Sequence, residues 1–302
     1  MAVEVGALGS LASALPGVGR ARPSWPPAVV WIPAAIVAAA MALPPAYLVL
    51  RTLGAGIEAW DLLFQVRVLN TLVRTLLLAF AVTGASIAIA VPLAWLTVRT
   101  DLPFRRFWLV VTVLPLVIPS YVGAYLFVVA LGPKGMFQGL LEPLGVNRLP
   151  DIYGFPGAML VLTLLSYPYV LLTVRAALRR MDPALEESSR GLGYGPWTTF
   201  RRMTLPQLRP AIAAGALLVA LYTLSDFGAV SLMRFNSFTR VIFLQYESAF
   251  DRTLAAALSL ALVLVALGIL MAEARTRGQA RYHGTTGGTM RPPSPVRLRQ
   301  WR

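Results

Sequence analysis

Cysteine is absent from the 302 residues, which excludes a disulfide framework, thiol chemistry and any cysteine-based metal site. Lysine occurs once, at Lys134, and no Gly-x-x-x-x-Gly-Lys-Ser/Thr run surrounds it, so this chain has no P-loop for ATP. Histidine also occurs once, at His283 in a Gly/Thr-rich stretch, where solvation is its expected fate. Charged residues make up only 13% of the chain, against about 25% in ordinary globular proteins. Carboxylates are too few and too scattered to assemble a catalytic dyad or triad. The chain reads as a non-enzyme, with no catalytic residue, no metal site and no cofactor of its own.

What the chain has in excess is apolar residues, at 57%, with a mean hydropathy of +0.67. They fall into six segments, at about 28–50, 71–98, 107–131, 155–174, 210–231 and 254–272. Each approaches or exceeds the roughly 20 residues that a helix needs to cross the hydrocarbon core. The expected fold class is therefore all-α, a polytopic membrane protein with six transmembrane helices. The first segment is too long for a signal-peptide core and is expected to remain as an anchor. Residues 1–26 read as a flexible cytoplasmic leader, 27–275 as the six-helix domain, and 276–302 as a basic cytoplasmic tail or linker.

A net charge of +14 raises nucleic acid as a partner, but the distribution of arginine argues against it. Placing the N-terminus in the cytoplasm gathers most of the basic residues on one side. Arg20 and Arg22, then Arg99, Arg105 and Arg106, then seven arginines from Arg175 to Arg209, and the tail from Arg275 onward all fall inside. The positive-inside rule then puts both termini and the central loop in the cytoplasm. The basic excess is read as a topology signal and a contact for anionic membrane lipids.

The central loop, residues 182–206, is polar and rich in arginine between two apolar segments. Asp182 suits an N-cap and Pro183 the first helical position, where no amide hydrogen is needed. Glu186 and Glu187 follow in the first turns, where the helix dipole favours acids. Gly193 and Gly195-Pro196 break that helix, and Trp197 to Met203 is expected to form a second short one ending before Pro206 and Pro210. Two short helices meeting at a glycine make a compact knob. Small residues at Ser188, Ser189 and Gly193 would admit another protein's backbone. An ordinary amphipathic connector is the alternative.

The spacing Glu187-Ser188-Ser189, three residues, Gly193, nine residues, then Met203-x-Leu205-Pro206 resembles the cytoplasmic coupling loop of ABC-importer permeases. Ser stands at both alanine positions of that pattern and Met at its isoleucine position. The wider chain resembles the ferric-iron branch, through Val98-Arg99-Thr100-Asp101-Leu102-Pro103, the run Leu114 to Tyr125, Leu224 to Val230 and Gln245 to Arg252. The resemblance implies a type I ABC importer permease fold in a bacterial inner membrane. It also implies separate ABC ATPase subunits gripping 182–206, a second six-span permease half, and an extracytoplasmic solute-binding protein delivering cargo. Thiamine, polyamine and sulfate permeases share the architecture, so iron is the favoured cargo among several. Members of the iron branch are often fused, with two halves joined by a basic Pro-containing linker like Arg291 to Arg297, and this chain looks like a first half. A secondary transporter would instead need buried ionisable pairs and inverted repeats, which the spans hardly offer.

Candidate pathway or gate residues are fewer. Pro115 and Pro119 interrupt the third segment, and proline frees backbone carbonyls that only protein or water can satisfy. Asp226 lies inside the fifth segment as drawn, where a carboxylate faces a cavity or a partner. If that span ends earlier, Asp226 belongs to the outer loop. Tyr121 and Tyr125, with Tyr167 and Tyr169, would line the path or sit in the interfacial belt, the latter being the commoner use. Glu247 and Asp251 are read as part of a docking surface for the binding protein.

Overall fold

The computed structural model describes residues 28–54, 64–133, 135–145, 149–248 and 252–278. The leader, Trp60 and its neighbours, Lys134, Asp251, His283 and the tail beyond residue 278 lie outside the described residues. The chain divides into two compact units, residues 1–47 and 48–302. The described part of the first unit belongs to α1 (Ala28–Leu53), which is apolar up to Arg51 in its last turn and carries Pro33, Pro44 and Pro45 within the helix.

In the second unit the chain order is α2 (Val66–Arg99), α3 (Arg105–Val113), a 3₁₀ turn (Leu114–Val117), α4 (Ser120–Leu131) and α5 (Met136–Leu141). After these come α6 (Phe155–Arg180), α7 (Pro183–Gly191), α8 (Pro196–Thr199), a π turn (Phe200–Thr204) and α9 (Leu205–Ser225). The last are α10 (Gly228–Leu232), α11 (Phe238–Ser248) and α12 (Arg252–Gly278). Among the described residues six helical runs are long and apolar enough to cross a membrane: Val29–Leu53, Val66–Arg99, Ser120–Leu144, Phe155–Arg180, Pro196–Ser225 and Arg252–Arg275. The all-α, six-span architecture expected from the sequence is the one present.

Two boundaries differ from expectation, both because of backbone breaks. The segment 107–131 is not one helix. Pro115 and Pro119 lack amide hydrogens, so α3 tightens into the 3₁₀ turn and the chain restarts as α4. The fifth helical run starts at Pro196 rather than 210, passes through Pro206 and Pro210, and stops at Ser225 instead of 231. Trp197 to Met203 is therefore not a separate helix. The π turn, in which the Leu205 amide donates to the Phe200 carbonyl, carries the chain into α9, and Pro206 sits in its first turn, where no donor is required.

The centre of the second unit is α2, α6 and α9 packed against one another. On α2 the residues Val82, Ser86, Ala90, Ala94 and Val98 recur every fourth position and are all buried. On α6 the same spacing gives Ala158, Leu162, Ser166, Val170, Val174 and Leu178, again all buried. Rows at i, i+4 are the ridges that helices interdigitate, and small members let the helices approach closely. The buried hydroxyl of Ser166 returns to its own helix, donating to the Leu162 carbonyl at 2.6 Å. At the end of α6 away from the central loop, Thr75 of α2 accepts the Phe238 amide at 2.9 Å and fixes the start of α11. With 34 residues, α2 is about 51 Å long at 1.5 Å per residue, well beyond the roughly 30 Å hydrocarbon core. Its last turn reaches the central loop.

Candidate functional site: the central loop and the break in the spans

Residues 182–206 fold into the knob that their capping residues call for. Asp182 accepts the Ala184 amide at 2.9 Å, and Pro183 occupies the first turn of α7. The helix ends with the Tyr194 amide donating to the Ser189 carbonyl at 3.2 Å and the Gly193 amide to the Arg190 carbonyl at 2.9 Å. That pair of bonds is a Schellman motif, which needs a left-handed residue at Gly193, and its φ is +83°. Nothing lies within 4 Å of where a Gly193 side chain would begin, so the glycine is required by its backbone and leaves open space outside.

The residues of the expected motif divide between inside and outside. Ser189 is buried, its hydroxyl 3.1 Å from that of Thr199, and it welds α7 to α8. Glu187 and Ser188 are exposed, Met203 borders on exposure, and Leu205 and Pro206 are half-buried. Around them stand Leu192 and Trp197, 77% and 71% exposed, with Tyr194 beside them. Trp197 stacks on Phe200 at 5.8 Å, and Phe200 meets Trp95 of α2 edge-on at 6.2 Å.

Beneath the knob lies a charge pair that sequence reasoning did not single out. The Arg99 guanidinium, 2% exposed, stands 3.3 Å from the Glu186 carboxylate. The same Glu186 oxygen accepts the Thr204 hydroxyl at 3.0 Å. Neighbouring Arg105 donates to the carbonyls of Thr97 and Val98, capping the end of α2. Arg99 had counted as a topology signal and as part of the run Val98 to Pro103, not as a partner of the loop. Its position at the end of an apolar span, facing a loop with two consecutive acids, was the available clue.

The second region is where the third and fifth spans break. The residues Pro115 to Ser120 line a cavity of about 390 Å³ with Leu165, Tyr169 and Tyr222. The two tyrosine rings lie 5.7 Å apart. Asp226 falls one residue beyond α9 rather than within a span, yet it is 7% exposed. Its carboxylate accepts the Ala229 and Val230 amides at 2.9 and 3.3 Å, which starts α10. The Ser120 hydroxyl lies within hydrogen-bonding reach of both Asp226 and Tyr222. A side chain at Gly228 would press on Tyr121 and Ser120 at 3.0–3.2 Å, so the glycine lets α10 seat closely against α4. The carbonyl of Thr112, at the end of α3 before the proline break, receives the Tyr167 hydroxyl at 2.8 Å. Of the expected pathway residues, Pro115 and Pro119 line the cavity and Asp226 adjoins it through Ser120. Tyr121 and Tyr125 are 57% and 55% exposed and do not line it; Tyr169, also among the expected tyrosines, does, together with Tyr222. Among the described residues no cluster of acids and histidines could hold a metal ion.

Residues 86–275, which contain both regions, match the family model described as the binding-protein-dependent transport system inner membrane component. The chain belongs to that family. Over 269 residues this transport-system component is 33% identical to the Fe(3+)-transport system permease protein FbpB 2 of Haemophilus influenzae, covering 88% of this chain and 50% of that protein. It is 32% identical over 161 residues to the molybdenum transport system permease protein ModB of Escherichia coli, covering 52% of this chain and 69% of ModB. The sulfate transport system permease protein CysW of Synechococcus elongatus is 27% identical over 278 residues, 88% of this chain and 96% of CysW. The chain spans about half the length of the first curated relatives it matches. In fold it is similar to a chain of a bacterial ABC transporter involved in alginate import, with a TM-score of 0.62 at 18% identity over 83% of this chain and 96% of that one. A chain of the MetNI methionine ABC transporter gives 0.55 at 19% identity, over 72% of this chain and all of that one. The fold is that of type I ABC importer permeases.

Proposed function

We propose that this component is the transmembrane subunit of an ATP-driven importer in a bacterial inner membrane, with both termini cytoplasmic, forming half of a pathway for ferric iron. The observation that carries the reading is the 182–206 knob. It is braced by its own caps and by Phe200 against Trp95, and it presents Glu187, Ser188, Leu192, Trp197 and an open Gly193 outward. Separate ATPase subunits grip this surface, and their closure on ATP swings the knob and the spans joined to it. A solute-binding protein delivers cargo at the opposite end, and a second six-span unit completes the pathway. Coupling follows because ATP and cargo each favour one of two arrangements of the same spans.

The cargo assignment draws on the Fe(3+) relative and on the chemistry of the cavity. Its walls offer hydroxyl and phenol oxygens with the Asp226 carboxylate behind Ser120, and none of the lining residues is Lys, Arg or His. Hydroxyl and phenol oxygens with no cationic side chain beside them suit a hard cation better than molybdate or sulfate. The test is uptake by proteoliposomes containing this chain, its partner half, the ATPase and the binding protein. Radiolabelled Fe(III) is expected to enter on addition of ATP, and molybdate and sulfate to stay out. Oxyanion uptake without iron uptake would overturn the cargo assignment.

Gly193→Asp tests the knob. The new side chain points into open space but strains a backbone held at φ +83°, so Gly193→Ala, with the same strain and no charge, is the control. Membrane insertion should be normal in both, while ATPase copurification and uptake fall at least about tenfold further in Gly193→Asp, roughly 1.4 kcal/mol of docking energy. Normal uptake by a well-expressed variant would remove the knob from the coupling role.

A further inference from the structure

We propose that Glu186 and Arg99 form a clamp that makes α2 move as one body with the coupling knob, so that these two are positioning residues for energy transfer. The inference rests on the importer reading above but names contacts that reading does not require. The knob is covalently joined to α6 and α9 only, so a push on it reaches α2 through side-chain contacts alone. Those contacts come from one face of the last turns of α2, where Trp95 and Arg99 are four residues apart and stack along the helix. Trp95 meets Phe200 of the π turn, and Arg99 meets Glu186 of α7. Glu186 in turn accepts the hydroxyl of Thr204, the residue that ends the π turn. One carboxylate thus ties together the end of α2, the first helix of the knob and the start of α9.

The character of the pair fits a moving part. Arg99 stands 3.3 Å from Glu186, and its three guanidinium nitrogens are buried without a directed hydrogen bond. Attraction that depends on distance more than angle tolerates rotation of the knob while still opposing separation. Parting the two inside the protein would leave each as a buried, unpaired charge, which opposes their separation. Because α2 runs the length of the bundle and packs along α6 and α9, a displacement at Arg99 is carried to the far end at Thr75 and Phe238.

The experiment uses the complete reconstituted importer. Glu186→Gln keeps the shape and the acceptor for Thr204 but removes the charge. ATPase association and ATP hydrolysis should stay within about twofold of the parent, while Fe(III) taken up per ATP falls at least about tenfold, within the range of measured coupling energies. Spin labels at Arg190→Cys and Leu77→Cys, in a chain with no native cysteine, read the knob-to-α2 distance without reference to cargo. That distance should hold between nucleotide-free and ATP-bound states in the parent and change in Glu186→Gln. The swapped pair Arg99→Glu with Glu186→Arg should recover uptake per ATP, and it carries the test if the single variants fail to accumulate. Unchanged uptake per ATP in Glu186→Gln, loss of ATPase association in that variant, or a folded but uncoupled swap would each overturn the clamp. Failure of the parent complex to hold an ATPase would instead overturn the importer reading.

Discussion

The knob at 182–206 and the break at Pro115–Ser120 and Asp226 are both places where helices stop, yet they stop for different reasons. In the knob every interruption is local. Asp182 caps the start of α7 and Gly193 its end, each acting within a few residues of itself. In the break the interruptions are local but their repair is distant. Pro115 follows the end of α3 and Pro119 precedes α4, and the carbonyl of Thr112 is satisfied by Tyr167, 55 residues further on. Asp226 starts α10, whose seat is the first turn of α4. A surface device can be specified by its own segment. A break inside the bundle is possible only where other spans supply the missing partners.

The sharpest way to break this comparison is at Asp226. Asp226→Ala should strip the Ala229 and Val230 amides of their acceptor in a buried setting, costing about 1–3 kcal/mol, and abolish uptake. Asp226→Asn keeps a capping oxygen while losing the charge, so it should insert and fold like the parent with Fe(III) uptake reduced about tenfold. Full iron uptake by Asp226→Asn would show that the carboxylate serves only as a cap. Next in size is Tyr167→Phe, which leaves the Thr112 carbonyl without its partner. It should lower the thermal stability of the detergent-solubilised protein by about 1–2 kcal/mol and leave ATPase binding unchanged. The smallest effect is expected at the knob itself. Asp182→Ala loses one exposed cap, about 1 kcal/mol of local helix stability, seen as faster hydrogen exchange in α7 and not in α3 or α4. Faster exchange spreading to α4 would mean that the two regions are not independent.

The same division explains what could be read in advance. Apolar run length settled the six spans, since a helix must supply about 20 such residues whatever its neighbours. Capping chemistry settled the ends of α7. Where proline met a π turn, local rules misled. Pro206 and Pro210 looked like stops, but i→i+5 bonding and packing of α9 on α6 carried the helix through them. Tyr121, Tyr125, Tyr167 and Tyr169 looked equally suitable for a cavity wall, and of these only Tyr169 lines one, because residue type says nothing of which helix face a cavity adjoins.

The sequence by itself determined that this is a six-span helical membrane protein with a capped knob between its fourth and fifth spans. Those features depend on hydrocarbon thickness, helix periodicity and hydrogen bonds that close within one segment. Only the tertiary structure decided that Glu186 rather than Glu187 turns inward to Arg99, that Ser189 is spent on Thr199, and that two breaks far apart in the chain meet at Ser120. Each is a contact between groups distant in sequence, and its partner is chosen by how the i, i+4 ridges of α2 and α6 bring the helices into register.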